Sequence, residues 1–178
     1  MRVLAIIFDG FEELEATAPF ALLRRAGIDL TIASERNDVI GAHHIHIVDT
    51  ITLKEIQIKE YDALLLPGGP HWKTLETNQY VHEIIKYFMK KNLLVAAICA
   101  APTIIGKLGL LKDKNYTCFT CMNEDFGGNF IDNSVVVDGN LITARSAAAS
   151  IDFAYEIIRK INGEEALISL QKRIYYEK

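Results

Sequence analysis

Short apolar segments alternate along this chain with segments of helical periodicity, and this alternation restricts the possible folds more than any other feature. Val3–Phe8, Tyr61–Leu66 and Leu93–Ile98 are predominantly apolar runs, as expected of strands that are buried on both faces. Tyr80–Lys91 instead repeats its apolar residues at helical spacing, which predicts an amphipathic helix. Strand–helix alternation is typical of a mostly parallel sheet with helices on both faces. We therefore expect a three-layer α/β/α architecture.

The remaining segments extend the same pattern to the end of the chain. Further helices are predicted over Glu15–Ala26, Ala101–Leu108, Ala148–Ile161 and Glu164–Tyr175, and further strands at Leu30–Ala33, Tyr116–Phe119, Val135–Val137 and Leu141–Ala144. His44–Val48 alternates polar and apolar residues, which is typical of an edge strand or a hairpin arm. No linker, repeat or low-complexity segment interrupts the pattern, so residues 1–178 are predicted to form a single domain.

Composition excludes several classes of function. The net charge of −4, without clustered Lys and Arg, disfavours a nucleic-acid partner. No apolar run reaches the roughly 18 residues that a membrane-spanning helix needs, and the apolar start is too short for a signal peptide. Three cysteines are too few for a disulfide scaffold, so a reducing cytoplasm is the expected compartment.

The most informative position is Cys99, where a buried strand ends and a helix begins at once. Ala100 and Ala101 are small, as a sharp turn requires, and Pro102 suits the first turn of a helix. This pattern predicts a nucleophile elbow that exposes the thiol above the sheet, at a helix start that favours the thiolate and lowers its pKa. The alternative is a buried core cysteine that acts only as a small hydrophobe.

Four sequence blocks, in register over nearly the whole chain, resemble the DJ-1/ThiJ/PfpI superfamily and its DJ-1 branch in particular. The blocks are Gly10–Glu15 with Pro19 and Arg24–Gly27, Leu66–Gly69, Ala96–Thr103, and Leu141–Ser146 leading to Phe153–Ala154. The resemblance implies a flavodoxin-like sandwich with a nucleophile elbow. It also implies a homodimer, with the first helix at the interface.

The resemblance assigns roles to individual residues. Cys99 occupies the position of the reactive cysteine, and Glu15 that of the acid that approaches the thiol. Gly69 and Ala100 match positions whose backbone N–H groups form an oxyanion hole. The residues alone instead favour a solvated acid in the first turn of a helix for Glu15, as they do for Glu12 and Glu13. Gly69 would equally well be part of an ordinary turn.

Two basic residues are also implied near the site. Arg145 matches a position near the mouth of the pocket, and Arg25 matches one at the dimer interface, also bordering the pocket. His43 falls close to a position where relatives have a basic residue that faces the pocket. The alternative for His43 is an exposed residue on an edge strand.

The chain also departs from parts of the superfamily pattern. All five histidines precede Cys99, and Ala100 stands where protease-like members have a histidine, so neither an amidotransferase triad nor a peptidase is expected. Many relatives in the DJ-1 branch carry a histidine near the cysteine where this chain has Phe119. Proton transfer would then depend on Glu15 alone, or the activity would be weak.

Cys118 and Cys121 form a C-x-x-C motif, which occurs both in redox sites and in zinc sites. No second pair of ligands at zinc-binding spacing follows, so no metal is predicted. One hypothesis is that Cys118 or Cys121 resolves an oxidised Cys99 by forming a disulfide. The alternative is that they are two thiols with no such role.

The predicted function is a cysteine-dependent, glutathione-independent glyoxalase that converts methylglyoxal or glyoxal to a 2-hydroxy acid, or the related protein deglycase. No cofactor is predicted, because the chain has no phosphate-binding motif. The alternative is an oxidative-stress sensor or a redox-regulated chaperone that acts through peroxide oxidation of Cys99. A low-pKa thiol would serve both functions.

Overall fold

The computed structural model describes residues 1–48 and 50–176, which form a central sheet between two layers of helices. The strands are β1 (Arg2–Ile6), β2 (Asp29–Ser34), β3 (Asp38–Ile40), β4 (His46–Val48), β5 (Ile51–Thr52), β6 (Ala63–Leu66), β7 (Leu94–Ile98), β8 (Asn115–Tyr116), β9 (Asn129–Phe130), β10 (Val135–Asp138) and β11 (Leu141–Ala144). The helices are α1 (Glu13–Arg25), α2 (Trp72–Thr77), α3 (Gln79–Lys90), α4 (Ala101–Lys107), α5 (Ser150–Asn162) and α6 (Glu164–Arg173).

The main sheet has seven strands in the order β10-β11-β7-β6-β1-β2-β5. Its neighbouring strands pair in parallel except at one edge, where β10 runs antiparallel to β11. The predicted α/β architecture with a mostly parallel sheet is therefore confirmed. The carboxyl ends of β1, β6 and β7 meet at one edge of this sheet, which is where open α/β sheets bind ligands.

Two apolar cores cover the two faces of the sheet, because alternate strand residues point in opposite directions. On one face, α1, α5 and α6 bury residues such as Leu23, Ile158 and Leu167. On the other face, α3 and α4 bury residues such as Ile84 and Ile105. The near-continuous apolar strands of the sequence follow from this double coverage.

The smaller strands differ from the prediction in instructive ways. The predicted arm at His44–Val48 is a hairpin strand only over His46–Val48, which pairs with β3, while His44 lies in the turn with a φ of 67°. The predicted strand Tyr116–Phe119 is wrong beyond Tyr116, because the chain leaves the β8–β9 pair there and forms a 3-10 turn at Thr120–Met122. Sequence analysis missed α2, because a Pro- and Gly-rich turn precedes it.

No helix among the residues that the structure describes is long and apolar enough to cross a membrane. The longest of them, α1 and α5, have 13 residues each, whereas a membrane-spanning helix needs about 20.

Candidate active site

Cys99 lies in a strained turn between β7 and α4. Its φ is 64°, in the left-handed region that residues with a Cβ rarely adopt. Two backbone hydrogen bonds hold it there: the Cys99 N–H donates to Ala144 O at 2.9 Å, and the Phe119 N–H donates to Cys99 O at 2.8 Å. The side chain is half-buried. The strand–turn–helix geometry of a nucleophile elbow is therefore present, and Cys99 is not a fully buried core residue.

Glu15 reaches the thiol from the first turn of α1. Glu12 caps this helix by accepting the Glu15 N–H at 2.8 Å. The Glu15 side chain is almost completely buried, accepts the Gly68 N–H at 2.9 Å through Oε2, and forms a hydrogen bond with Cys99. The interpretation of Glu15 as a solvated helix acid is therefore wrong. It is also wrong for Glu13, which is buried and accepts the His43 N–H.

Glycine is required at both positions of the turn that faces Cys99. A Cβ on Gly68 would lie 2.5 Å from Glu15 Oε2 and 2.6 Å from Cys99 Cβ. Gly69 has a φ of 101°, and a Cβ there would lie 2.4 Å from the Glu12 backbone nitrogen. Only a residue without a side chain lets this backbone approach so closely.

The backbone N–H groups of Gly69 and Ala100 both form hydrogen bonds with the Cys99 sulfur. The two donors come from different strand ends, since Gly69 follows β6 and Ala100 follows Cys99 in the elbow. Two converging N–H groups beside a nucleophile have the arrangement of an oxyanion hole. Their role in catalysis stays a prediction.

Burial dominates the electrostatics of the pair. It raises the pKa of Glu15 to about 7, with a smaller contribution from the charge of Glu12, while hydrogen bonds from Cys99 and Gly68 oppose the increase. Burial, followed by the negative charge of Glu15, raises the pKa of Cys99 well above its usual range, although the Ala100 and Gly69 N–H groups lower it. The expectation of a lowered thiol pKa is therefore wrong, because the helix start is outweighed by desolvation and by the neighbouring carboxylate.

These two shifts belong to one coupled pair. The pair loses its first proton near pH 7 and holds the second one far into the alkaline range. Around and above neutral pH, Glu15 and Cys99 therefore share a single proton. That proton lies on the thiol or on the carboxyl group, and in the second case a thiolate faces a carboxylic acid and two N–H donors.

The structure places the backbone of Arg145 beside the elbow, because Arg145 directly follows Ala144, whose carbonyl accepts the Cys99 N–H. Its guanidinium forms an ion pair with Asp132 at 3.0 Å, and its Nε is buried without a hydrogen-bond partner among the described residues. Arg25 is not brought to the site within one subunit. It lies in the last turn of α1, about 15 Å along the helix axis from Glu15.

His43 is exposed, as its alternative interpretation expects, and lies in the loop beside the start of α1. One ligand atom each from Glu12, Glu13 and His43 lies within 4.8 Å of the others, so this cluster is the place where a cation would be sought. Both carboxylates already accept backbone N–H groups, Glu12 from Glu15 and Glu13 from His43. We assign no ion to it.

The structure separates Cys118, the first C-x-x-C cysteine, from the Cys99 thiol. Cys118 is completely buried in the core beneath α3 and α4, whereas Cys99 packs against the core on the opposite face of the sheet. Burial raises the pKa of Cys118 to about 11, which makes it a poor nucleophile. Cys121 is exposed in the 3-10 turn, and all three cysteines are free. The hypothesis that Cys118 resolves an oxidised Cys99 is therefore contradicted by its position.

Sequence analysis missed one residue of this region, His71. Its ring is buried between the ends of β1 and β6, and it bonds the Phe8 N–H and the Pro67 carbonyl. The signal in the sequence was the placement of this histidine directly after Pro67–Pro70, the turn that ends a buried strand.

Comparison with known proteins decides the family. The DJ-1/PfpI family matches residues 1–160. The chain belongs to the DJ-1/PfpI family. It is therefore related to proteins whose reported names include both DJ-1 homologues and deglycases.

Three relatives indicate how close the relationship is. DJ-1 homolog B of Arabidopsis thaliana is 33% identical over 96% of this chain, and the chain spans 40% of that protein's length. A protein of Pyrococcus abyssi that is named a deglycase is 33% identical over 82% of this chain and 90% of its own length. The crystal structure of Drosophila melanogaster DJ-1beta superimposes with a TM-score of 0.92 at 30% identity, covering 99% of this chain and 98% of that one.

Proposed function

We propose that this DJ-1/PfpI protein is a cysteine-dependent, glutathione-independent enzyme that converts small dicarbonyls such as methylglyoxal and glyoxal to 2-hydroxy acids. The observation that carries the proposal is the buried Glu15 carboxyl group in hydrogen-bond contact with the Cys99 thiol, which also faces the Gly69 and Ala100 N–H donors. Relatives that are named deglycases support a reaction on carbonyl adducts of this kind.

The first step is addition of the Cys99 sulfur to the aldehyde carbon of methylglyoxal. A carbon–sulfur bond forms, the carbonyl π bond breaks, and the oxygen takes the proton that the pair shares. The Gly69 and Ala100 N–H groups stabilise the negative charge that develops on this oxygen. The product is a hemithioacetal on Cys99, with Glu15 ionised beside it.

Glu15 then moves a proton between two carbons. Its carboxylate removes the hydrogen of the hemithioacetal carbon as a proton and returns it to the adjacent carbon, while the hydroxyl proton of the hemithioacetal passes to the ketone oxygen. The former ketone becomes an alcohol, and the sulfur becomes part of a thioester. Water hydrolyses the thioester to lactate and restores the thiol. The net reaction adds one water to methylglyoxal, and no external oxidant or reductant is consumed.

The test is incubation with methylglyoxal, without glutathione, while lactate is followed by proton NMR. Turnover in the wild-type protein that disappears in Cys99→Ser and Glu15→Gln is expected. Turnover no faster than that of Cys99→Ser would reject the proposal. Glycated peptides as substrates in the same assay separate deglycase from glyoxalase activity.

A second candidate function is sensing of peroxide through Cys99. The half-buried sulfur faces two N–H groups, and the raised pKa of Glu15 leaves a carboxylic acid that can donate to a sulfinate oxygen. Two equivalents of hydrogen peroxide would oxidise the thiolate first to the sulfenate and then to the sulfinate, each releasing one water. Peroxide titration followed by intact mass measurement tests it, and a Cys99 that resists oxidation at stoichiometric peroxide would exclude it.

We also propose that the protein forms a homodimer through the start of α1. Leu14, Ile45 and Val48 are large apolar residues that are 58%, 52% and 65% exposed. Leu14 and Ile45 lie on adjoining segments, because the Ile45 N–H donates to Glu13 Oε1 at 3.4 Å. Exposed large apolar residues on adjoining segments are typical of an interaction surface. Light scattering should give a dimer for the wild type and a monomer for Leu14→Glu, whereas a wild-type monomer would contradict the proposal.

A further inference from the structure

His71 is an almost completely buried imidazole that no step of the proposed reaction uses. Its Nδ1 lies 3.1 Å from the Phe8 nitrogen, and its Nε2 lies 2.8 Å from the Pro67 carbonyl oxygen. The Phe8 N–H can only donate, so Nδ1 is the acceptor and the ring proton is on Nε2. His71 therefore donates a hydrogen bond to the Pro67 carbonyl.

The Pro67 carbonyl belongs to the same peptide unit as the Gly68 N–H. This peptide bond is trans, so its C=O and N–H point in opposite directions in one plane. His71 binds the oxygen at 2.8 Å, and Glu15 Oε2 accepts from the nitrogen at 2.9 Å. One continuous chain of hydrogen bonds thus runs from the imidazole through the peptide to the carboxyl group.

We propose that His71 is a positioning residue that orients the Pro67–Gly68 peptide and thereby holds Glu15 against Cys99. The inference rests on the proposed function, because it assigns a purpose to the position of Glu15. Two further bonds brace the same turn: the His71 N–H donates to Gly10 O at 3.1 Å, and the Glu12 N–H donates to Gly68 O at 2.8 Å. The imidazole is the part of this brace that acts directly on the peptide facing Glu15.

The environment of His71 suits a fixed donor. Burial lowers the pKa of His71 to about 4, so the ring stays neutral and keeps one donor and one acceptor throughout the neutral range. Donation to the Pro67 carbonyl polarises the peptide, and this strengthens the hydrogen bond that the Gly68 N–H donates to Glu15 on the other side. Gly68 carries no Cβ that could restrict the rotation of this peptide from its own side, so the hydrogen bond from His71 contributes directly to fixing its orientation.

The test compares two variants, each of which keeps one of the two hydrogen bonds that the His71 ring forms with Phe8 and Pro67. In His71→Gln, the longer side chain presents its amide N–H at the Nε2 position and keeps the donor to Pro67. In His71→Asn, the shorter side chain keeps an acceptor for the Phe8 N–H but cannot reach Pro67. His82→Asn is the matched control, because the His82 Nε2 also contacts a backbone carbonyl, that of Leu75, at 3.1 Å, away from the site.

The readout is the pH dependence of Cys99 alkylation by iodoacetamide, with kcat and KM for methylglyoxal measured alongside. Cys99 and Glu12 are the titratable groups whose charges or hydrogen bonds act on Glu15, and they are unchanged in every variant. In His71→Asn we expect the inflection near pH 7 to move up by about 0.5 to 1 pH unit, because the Gly68 bond that lowers the pKa of Glu15 is weakened. We also expect kcat to fall about 5- to 10-fold with little change in KM.

His71→Gln and His82→Asn should keep the wild-type inflection. An unmoved inflection in His71→Asn, or an equal shift in His71→Gln, would overturn the inference. The two proposals fail separately, because alkylation requires no dicarbonyl. A shifted inflection in a protein that never turns over methylglyoxal rejects the enzyme alone, whereas normal turnover with an unmoved inflection rejects the role of His71 alone.

Discussion

Glu15 and Cys99 form a hydrogen bond between the start of α1 and the end of β7, and both have raised pKa values there. Each group is brought to the other by a separate backbone constraint: the Gly68 N–H binds the carboxyl group, and the positive φ of the elbow directs the thiol. The pair is destabilising as an isolated arrangement, because burial disfavours both charges. The pair therefore lowers the stability of the folded protein while it supplies the reactive groups of the proposed reaction.

Glu15→Gln should stabilise the protein at neutral pH. The pKa of Glu15 rises from 4.5 to about 7 on folding, so below about pH 4.5 the carboxyl group is protonated in both states. As the pH rises towards 7, only the unfolded state releases its proton, and stability falls by about 3 kcal/mol. Glutamine cannot ionise, so urea unfolding should give a variant about 2–3 kcal/mol more stable than wild type at pH 7.5 and equal to it near pH 4. Glu83→Gln, on an exposed part of α3, is the control and should not change this pH dependence.

The rate of Cys99 alkylation should depend on the loss of the first proton from the Glu15–Cys99 pair. In the wild-type protein we expect the iodoacetamide rate to rise through an inflection near pH 7 and then to level off, because the singly protonated pair has a constant thiolate fraction. In Glu15→Gln this inflection should be absent, and the rate should rise only at higher pH. Identical profiles in the two proteins would show that the groups are not coupled.

Gly69→Ala should be far more costly than an alanine at another glycine of positive φ. Both Gly69 and Gly139 have positive φ values, 101° and 59°, but a Cβ at Gly139 meets nothing within 4 Å. Gly139→Ala should therefore cost about 1 kcal/mol for backbone strain alone. Gly69→Ala adds a clash with the backbone before α1 and should cost at least about 3 kcal/mol. Equal urea midpoints for the two variants would contradict this account of the turn.

Peroxide should oxidise Cys99 without joining it to Cys118. The two thiols pack on opposite faces of the sheet, and burial raises the pKa of Cys118 to about 11. Peptide mapping without reductant should find sulfinic acid at Cys99 and an unmodified Cys118. Cys121→Ser should oxidise like the wild type, and a bridged peptide containing Cys99 would refute the prediction.

Phe119→His should increase turnover with little change in stability. Phe119 is 42% exposed, and its backbone N–H donates to Cys99 O at 2.8 Å, so an imidazole introduced at position 119 would be attached to backbone that lies beside the elbow. It would add a second proton carrier to Glu15, which we expect to raise kcat for methylglyoxal above pH 6.5. The melting temperature should change by no more than a few degrees, as is usual for an exposed side chain. A lower kcat in a well-folded variant would contradict the expectation.

The sequence by itself determined the fold class and the elbow. Apolar runs that are long enough for a strand but not for a helix are removed from water only when the sheet is covered on both faces. The strands β1, β6 and β7 are buried as that pattern requires. The small residues and the proline after Cys99 similarly restrict the chain to a sharp turn into α4. These are local properties, because strand and helix periodicity and turn chemistry are written into neighbouring residues.

Only the tertiary structure decided the electrostatics of the site and which of the other candidate residues lie near Cys99. Whether Glu15 is solvated or buried depends on what α1 packs against. The pKa of the Cys99 thiol also depends on packing, because burial raises it whereas the helix start alone was expected to lower it. The sheet separates Cys118 from Cys99 although their segments adjoin. His71 acquired its role from contacts with Phe8 and with the peptide that binds Glu15. Desolvation and convergence of distant strand ends are properties of the packed molecule, so no local pattern could supply them.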